Sequence, residues 1–227
     1  MRVVVESLDN LHDGQDICYI STGNKVLDKY FGGGIPCGNI IQLVGPSGAG
    51  KSQFCMQLVA YMRANDDQKM AREFGSTKND AELLENILLM QRTTFPGLEN
   101  VLNKTLVEMK DLKLLFLDDL ELILPDIYGD EKGEQMLSLH KLAVLLKTIA
   151  RKFNAAVIVV NGVRYDPTSN TLTSVLGLSW KMYFTYRLWM NVIEKEPRQR
   201  QIIQKKWFTP QRPPLMFKIV KTGLVTH

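Results

Sequence analysis

One octapeptide, "GPSGAGKS" at residues 45–52, constrains this chain more than any other stretch, because it fits G-x-x-x-x-G-K-[ST] with Gly45, Gly50, Lys51 and Ser52 at the fixed places. A glycine-rich loop running into a helix offers backbone N–H groups and the positive end of the helix dipole, which together hold a phosphate. The flanks agree: "NIIQLVG" reads as a buried strand entering the loop, and "KSQFCMQLVAYMRA" as the helix leaving it. Gly45, Pro46, Ser47, Gly48, Ala49, Gly50, Lys51, Ser52 and Gln53 are therefore expected to cradle a nucleotide, with Lys51 on the β and γ phosphates and the Ser52 hydroxyl on Mg²⁺.

The loop needs a sheet around it, and the chain supplies one. In "ISTGNKVLDKYFGGGIPCG", Ser21 is expected to cap a helix carrying Val26, Leu27, Tyr30 and Phe31 on one face, stopped by Gly32 to Gly34. "ENILLMQ" (85–91) reads as a short strand, residues 97–110 as a helix, and "KLLFLDD" (113–119) as a second buried strand. A long amphipathic helix (135–153) and a third buried strand, "AAVIVVN" (155–161), follow. Strands alternating with helices predict an α/β fold, a mostly parallel sheet flanked by helices. "FTYRLWM", "RQIIQKKW" and "LMFKIVK" succeed one another without helices and are expected as antiparallel edge strands at the C-terminus. With 227 residues, 45% of them hydrophobic, and no long linker, one core is expected over 20–227, preceded by a short extension at 1–19.

Asp118 closes the apolar run 114–117, where a carboxylate at a strand's carboxyl end can reach the same magnesium. Asp119 has two open readings: orienting the metal or a water, or capping the next turn in solvent. Hydrolysis also needs a carboxylate that positions the attacking water. After Asp119 the next acid is Glu121, and upstream, in "NDDQKMAREFGSTKNDAEL", the candidate is Glu73, which reads more simply as a solvated helix charge. "TKND" (77–80) mimics a guanine-reading motif but precedes the aspartate strand, so a GTPase is set aside.

Other features exclude more than they assign. Three cysteines (18, 37 and 55), widely spaced and odd in number, argue against a disulfide framework. The opening "MRVVVESLDN" has no leader or anchor pattern, and no apolar run approaches membrane length. His12, His140 and His227 are too scattered for a metal site. Trp189 and Trp207 read as packing residues, and the prolines at 210, 213 and 214 as a turn. The net charge of +4 is uneven: residues 192–221 hold eight Lys or Arg against two Glu. That asymmetry hints at a polyanion partner, but taken alone it reads more simply as lysines and arginines that protect a sheet edge.

Together, "ISTGNKVLDKYFGGGIPCGNIIQLVGPSGAGKSQFCMQL", "LLFLDD", "TIARKFNAAVIVVNGV" and "LGLSWKMYFTYRLWM", the last with Gly177 and Trp180 ahead of Arg187, resemble the RecA-like recombinases, most closely the eukaryotic recombinase paralogues. The resemblance spans Ile20 to Gly223. It implies a RecA-type ATPase core, ATP and Mg²⁺ as ligands, and an accessory role in homologous recombination and DNA repair in the nucleus. It also implies single-stranded DNA, a recombinase filament and a second paralogue-like subunit as partners, and no membrane. Departures matter as well. Neither the family's amino-terminal helical domain nor its Phe-x-x-Ala docking peptide is seen, the strand bearing its water-positioning glutamate is shortened or lost, and its Asn-Gln pair is here Asn161-Gly162. Weak or absent hydrolysis is therefore expected. Two loops should face DNA by this resemblance: the first carries only Lys132 among acids, while the second offers Arg164 and Tyr165, a cation and a stacking ring.

Overall fold

A computed structural model describes residues 18–74, 87–91, 94–120, 132–168, 170–193, 196–221 and 223–226. In chain order the elements are β1 (Tyr19–Ile20), α1 (Lys25–Phe31), β2 (Ile35–Pro36), β3 (Asn39–Val44), α2 (Lys51–Phe74), α3 (Phe95–Glu108), β4 (Leu114–Leu117) and α4 (Lys132–Phe153). Next come β5 (Ala156–Asn161), β6 (Val163–Asp166), β7 (Thr171–Ser174), α5 (Gly177–Lys181), β8 (Tyr186–Ile193), β9 (Glu196–Lys206), β10 (Leu215–Val220) and β11 (Gly223–Thr226). Seven strands form one sheet in the order β11-β10-β9-β8-β3-β5-β4. β8, β3, β5 and β4 run parallel, and β9, β10 and β11 add antiparallel to the β8 side. The mixed sheet anticipated above is therefore present, with its antiparallel part on one edge.

Alternation along the strands divides the core in two. Ile41 and Leu43 of β3, Ala156, Ile158 and Val160 of β5, and Leu188 and Met190 of β8 face α1 and α2. Ile40, Val157 and Val159 face α3 and α4, where Leu98, Leu102, Leu142, Leu146 and Trp180 complete a second layer. Both sheet faces are thus covered, as a parallel sheet requires.

Two expectations fail. The cap of α1 is Asn24, whose side chain accepts from the N–H groups of Val26 and Leu27. Ser21 instead donates to the Asp28 carboxylate at 2.5 Å, and Asp28 also accepts from the Thr22 N–H and hydroxyl, so a turn tied to Asp28 precedes the helix. Val26 turns outward, 45% exposed, while Leu27, Tyr30 and Phe31 form the buried face. Ile87 to Gln91 form no strand either, and residues 85 and 86 lie outside the described set. Leu88 and Met90 lie instead along a cavity of about 210 Å³ against Val101, Thr105 and Met109, so the apolar run meets a helix face rather than a sheet edge. Leu89 is 62% exposed, and among the described residues β4 pairs only with β5.

Candidate nucleotide site

β3 delivers the loop and α2 carries it away, with Lys51 as the first helical residue and no acid in the first turn to oppose an anion. The loop must pass close to β8: a Cβ on Gly45 would lie 2.2 Å from the Met190 carbonyl oxygen. Gly50, at φ +96°, presses against the opposite wall, where a Cβ would meet Ile219 Cδ1 at 2.6 Å. The loop encloses a cavity of about 630 Å³ lined by Ser47, Gly48, Gly50, Lys51, Ser52 and Gln53 on one side. Asp118, Asp119, Gly162, Val163, Arg200 and Ile219 complete it. Gly45, Pro46 and Ala49 stand behind the lining, Ala49 fully buried in the α2 side of the core.

The polar geometry is specific. Ser52 Oγ donates to Asp118 Oδ2 at 2.6 Å, so the loop hydroxyl and the carboxylate at the end of β4 meet although 66 residues separate them. Both are hard oxygen donors of the kind magnesium takes, and they share one corner of the cavity. Lys51 Nζ donates to the carbonyls of Gly45 at 2.7 Å and Pro46 at 3.0 Å, which holds the ammonium at the loop. Beneath them Cys55 is buried, and burial together with the Asp118 charge pushes its thiol well up despite the opposing Lys51. The Asp118–Asp119 peptide is cis, and Asp119 reaches the cavity beside Gly162. Glu73 falls in the last turn of α2 and Lys132 opens α4, but the side chains of both lie outside the described residues.

A buried polar chain crosses the sheet under this site. Arg187 Nε donates to Gln42 Oε1 at 2.7 Å, and Gln42 Nε2 donates to Asn161 Oδ1 at 3.0 Å and to Ser174 Oγ at 3.4 Å. Gln42 and Asn161 are wholly buried, and burial lowers the pKa of Arg187. The chain joins β8, β3, β5 and β7, ending beside Gly162 in the cavity wall. From that wall rises the β6–β7 hairpin: Val163 lines the cavity, Arg164 follows exposed, and Tyr165 is 59% exposed with its hydroxyl on Asn170 Oδ1.

Sequence reasoning missed Arg200 and Ile219. Arg200 Nε donates to the Gly48 carbonyl at 3.0 Å from 152 residues away, a contact that no local pattern could signal. Part of the basic tail is occupied with carbonyls: besides Arg200, Lys206 donates to Phe184 at 2.7 Å and Arg212 to Lys29. Those contacts favour the edge-protecting reading for these residues, while Lys205, Lys218 and Lys221 remain partly or fully exposed. Trp207 packs on Phe31 and Tyr186 at 5.2 and 4.7 Å between ring centroids and donates to the Phe31 carbonyl, as a packing residue should. Among the described residues no His, Cys, Asp or Glu group forms a further metal site, and no helix is long and apolar enough to cross a membrane.

Known proteins share this arrangement. A family model described as Rad51 matches residues 13–71, which include the loop. "DNA repair and recombination protein RadB" of Pyrococcus furiosus is 29% identical over 228 residues, covering 90% of this chain and 94% of that protein. "DNA repair protein RAD51 homolog 4" of Bos taurus is 26% identical over 195 residues, covering 74% of this chain and 60% of that protein. The crystal structure of the RadB recombinase superposes with a TM-score of 0.72 at 23% identity, over 90% of this chain and 98% of that one, which shows the fold. The chain thus has the fold of the RadB recombinase and is similar in sequence both to RadB, a DNA repair and recombination protein, and to the DNA repair protein RAD51 homolog 4.

Proposed function

We propose that this chain binds ATP with Mg²⁺ at Lys51, Ser52 and Asp118, hydrolyses it weakly or not at all, and serves as an accessory factor in homologous recombination. The observation that carries the reading is the Ser52–Asp118 contact at 2.6 Å in a cavity whose far wall continues into an exposed hairpin. A nucleotide in that cavity would touch the loop, Gly162 and Val163 at once, so its presence would bias the hairpin that presents Arg164 and Tyr165 to single-stranded DNA. Gly162 has no side chain with which to sense a terminal phosphate, and among the described lining residues Asp119 is the carboxylate besides Asp118 that could position water. The complex we envisage pairs this chain with a second paralogue-like subunit and stabilises or remodels a recombinase filament, in the nucleus of a eukaryotic cell.

The presence of Asp119 in the cavity wall favours one second reading: a DNA-dependent ATPase in which this carboxylate restores turnover. The test of the main reading is fluorescence anisotropy of a labelled single-stranded oligonucleotide, without nucleotide and with Mg-ATP, for the wild type and Lys51→Ala. Affinity should rise with Mg-ATP in the wild type alone. Equal affinity in all four conditions would reduce the pocket to a vestige and the chain to a scaffold.

A further inference from the structure

Among the described residues, Arg200 is the one cation lining the cavity that comes from the antiparallel edge rather than from the loop. It sits on β9 opposite Val192 of β8 and Phe217 of β10, so its backbone is held from both sides. Its Nε donates to the carbonyl of Gly48 at the loop's tip. No atom comes within 4 Å of a Cβ built on Gly48, so the tip is otherwise open. The Arg200 side chain also packs at Gly50, 3.6 Å from where a Cβ would stand, beside Ile219. A guanidinium carries a full positive charge and five N–H donors in a rigid planar fork, the geometry that matches phosphate oxygens.

We infer that Arg200 is a phosphate-binding residue of the nucleotide site, acting in cis from the sheet edge and closing the cavity over the loop together with Ile219. This rests on the reading of the cavity as a nucleotide site. Arg and phosphate make short charge-assisted hydrogen bonds, and an arginine on a strand paired on both sides loses little freedom in forming them. Nucleotide occupancy is then felt directly by β9 and β10, strands far from the loop in sequence. Asp118 and Asp119 lie across the same cavity, so Arg200 also offsets their charge when a polyanion enters.

The experiment is equilibrium binding of Mg-ATP and Mg-ADP by a fluorescent analogue, for wild type, Arg200→Gln, Arg200→Lys, Lys205→Ala and Lys51→Ala, beside thermal melts of each. Gln keeps a donor for the Gly48 carbonyl but no charge, Lys keeps the charge, and Lys205→Ala removes an exposed charge from the same strand. Arg200→Gln should weaken ATP binding about tenfold or more, the loss of one charge-assisted contact. That loss should shrink at high salt, Arg200→Lys should recover part of it, and Lys205→Ala should leave binding unchanged. Hydrogen exchange should show β9 and β10 protected by Mg-ATP in the wild type and not in Arg200→Gln. Wild-type affinity in Arg200→Gln would overturn the inference and leave Arg200 a brace on the loop. A loss shared equally by the Gln and Lys variants, tracking their melting points, would overturn it in the same way. A wild type that binds no nucleotide, like Lys51→Ala, would instead sink the nucleotide reading itself.

Discussion

Replacing Gln42 by Leu tests whether the buried polar chain holds the sheet together beneath the site. Gln42 and Asn161 are fully buried and Arg187 is partly so. Leu removes the acceptor of the Arg187 Nε proton and the donor to Asn161 Oδ1 together. A hydrogen bond to a charged group contributes about 1.5–3 kcal/mol, and a buried amide oxygen left unsatisfied costs about 1–3 kcal/mol. Water reaches part of the guanidinium, which discounts the first figure, and about 3 kcal/mol in all is expected. For a chain of this size that is about 6–12 °C in melting temperature. The companion change is Arg187→Met, alone and combined with Gln42→Leu. Removing charge and acceptor together leaves no uncompensated cation, so the double variant should be clearly more stable than the sum of the singles predicts. Urea unfolding of all four proteins measures the cycle. A cost below about 1 kcal/mol for Gln42→Leu, or strict additivity, would refute the argument.

Gly45→Ala should be destabilising by about 2–3 kcal/mol and abolish Mg-ATP binding, because its Cβ would fall 2.2 Å from a backbone oxygen of β8. Gly48→Ala has open space but φ +75°, so about 1 kcal/mol of backbone strain is expected, and denaturant unfolding separates the two. On the hairpin, Arg164→Ala should reduce the salt dependence of oligonucleotide binding by about one unit of slope. Tyr165→Ala should cost about 1–3 kcal/mol of affinity at any salt if a base stacks on the ring; a loss-free Tyr165→Ala removes it from the interface. Burial raises the thiols of Cys37 and Cys55, so both stay protonated in the folded chain while the unfolded chain ionises near the ordinary value of 9.0. Their contribution to stability is complete below that value and falls as pH rises beyond it. A disulfide reagent at pH 8 should accordingly label Cys18 well before either, and equal labelling rates would contradict that burial.

The strand, loop and helix around Gly45 to Ser52 were legible because each has a local pattern, and Asp118 because an aspartate ending a buried run marks a strand's carboxyl end. Asn24 was harder to foresee: the choice between Ser21 and Asn24 as cap depends on Asp28 gathering Ser21 and Thr22 seven and six residues back. Residues 87–91 misled for a different reason. An apolar run does not say what will cover it: Leu88 and Met90 border a cavity along α3, Ile87 packs on the α2 side of the core, and Leu89 is exposed. Arg200 lay beyond reach because its contact with Gly48 depends on the register of β8, β9 and β10 and on the sheet order that brings that edge back over the loop. Gln42 within an apolar strand was the one local sign of the buried chain, since a buried amide in such a run needs partners on neighbouring strands.

The most direct test of the account is ATP binding and turnover by the purified chain, with and without single-stranded DNA, beside Lys51→Ala. Mg²⁺-dependent binding lost in the variant, with turnover close to the variant's background whether or not DNA is present, is the predicted result. Turnover well above that background and stimulated by DNA would contradict it, and would make Asp119 the catalytic carboxylate of a working motor.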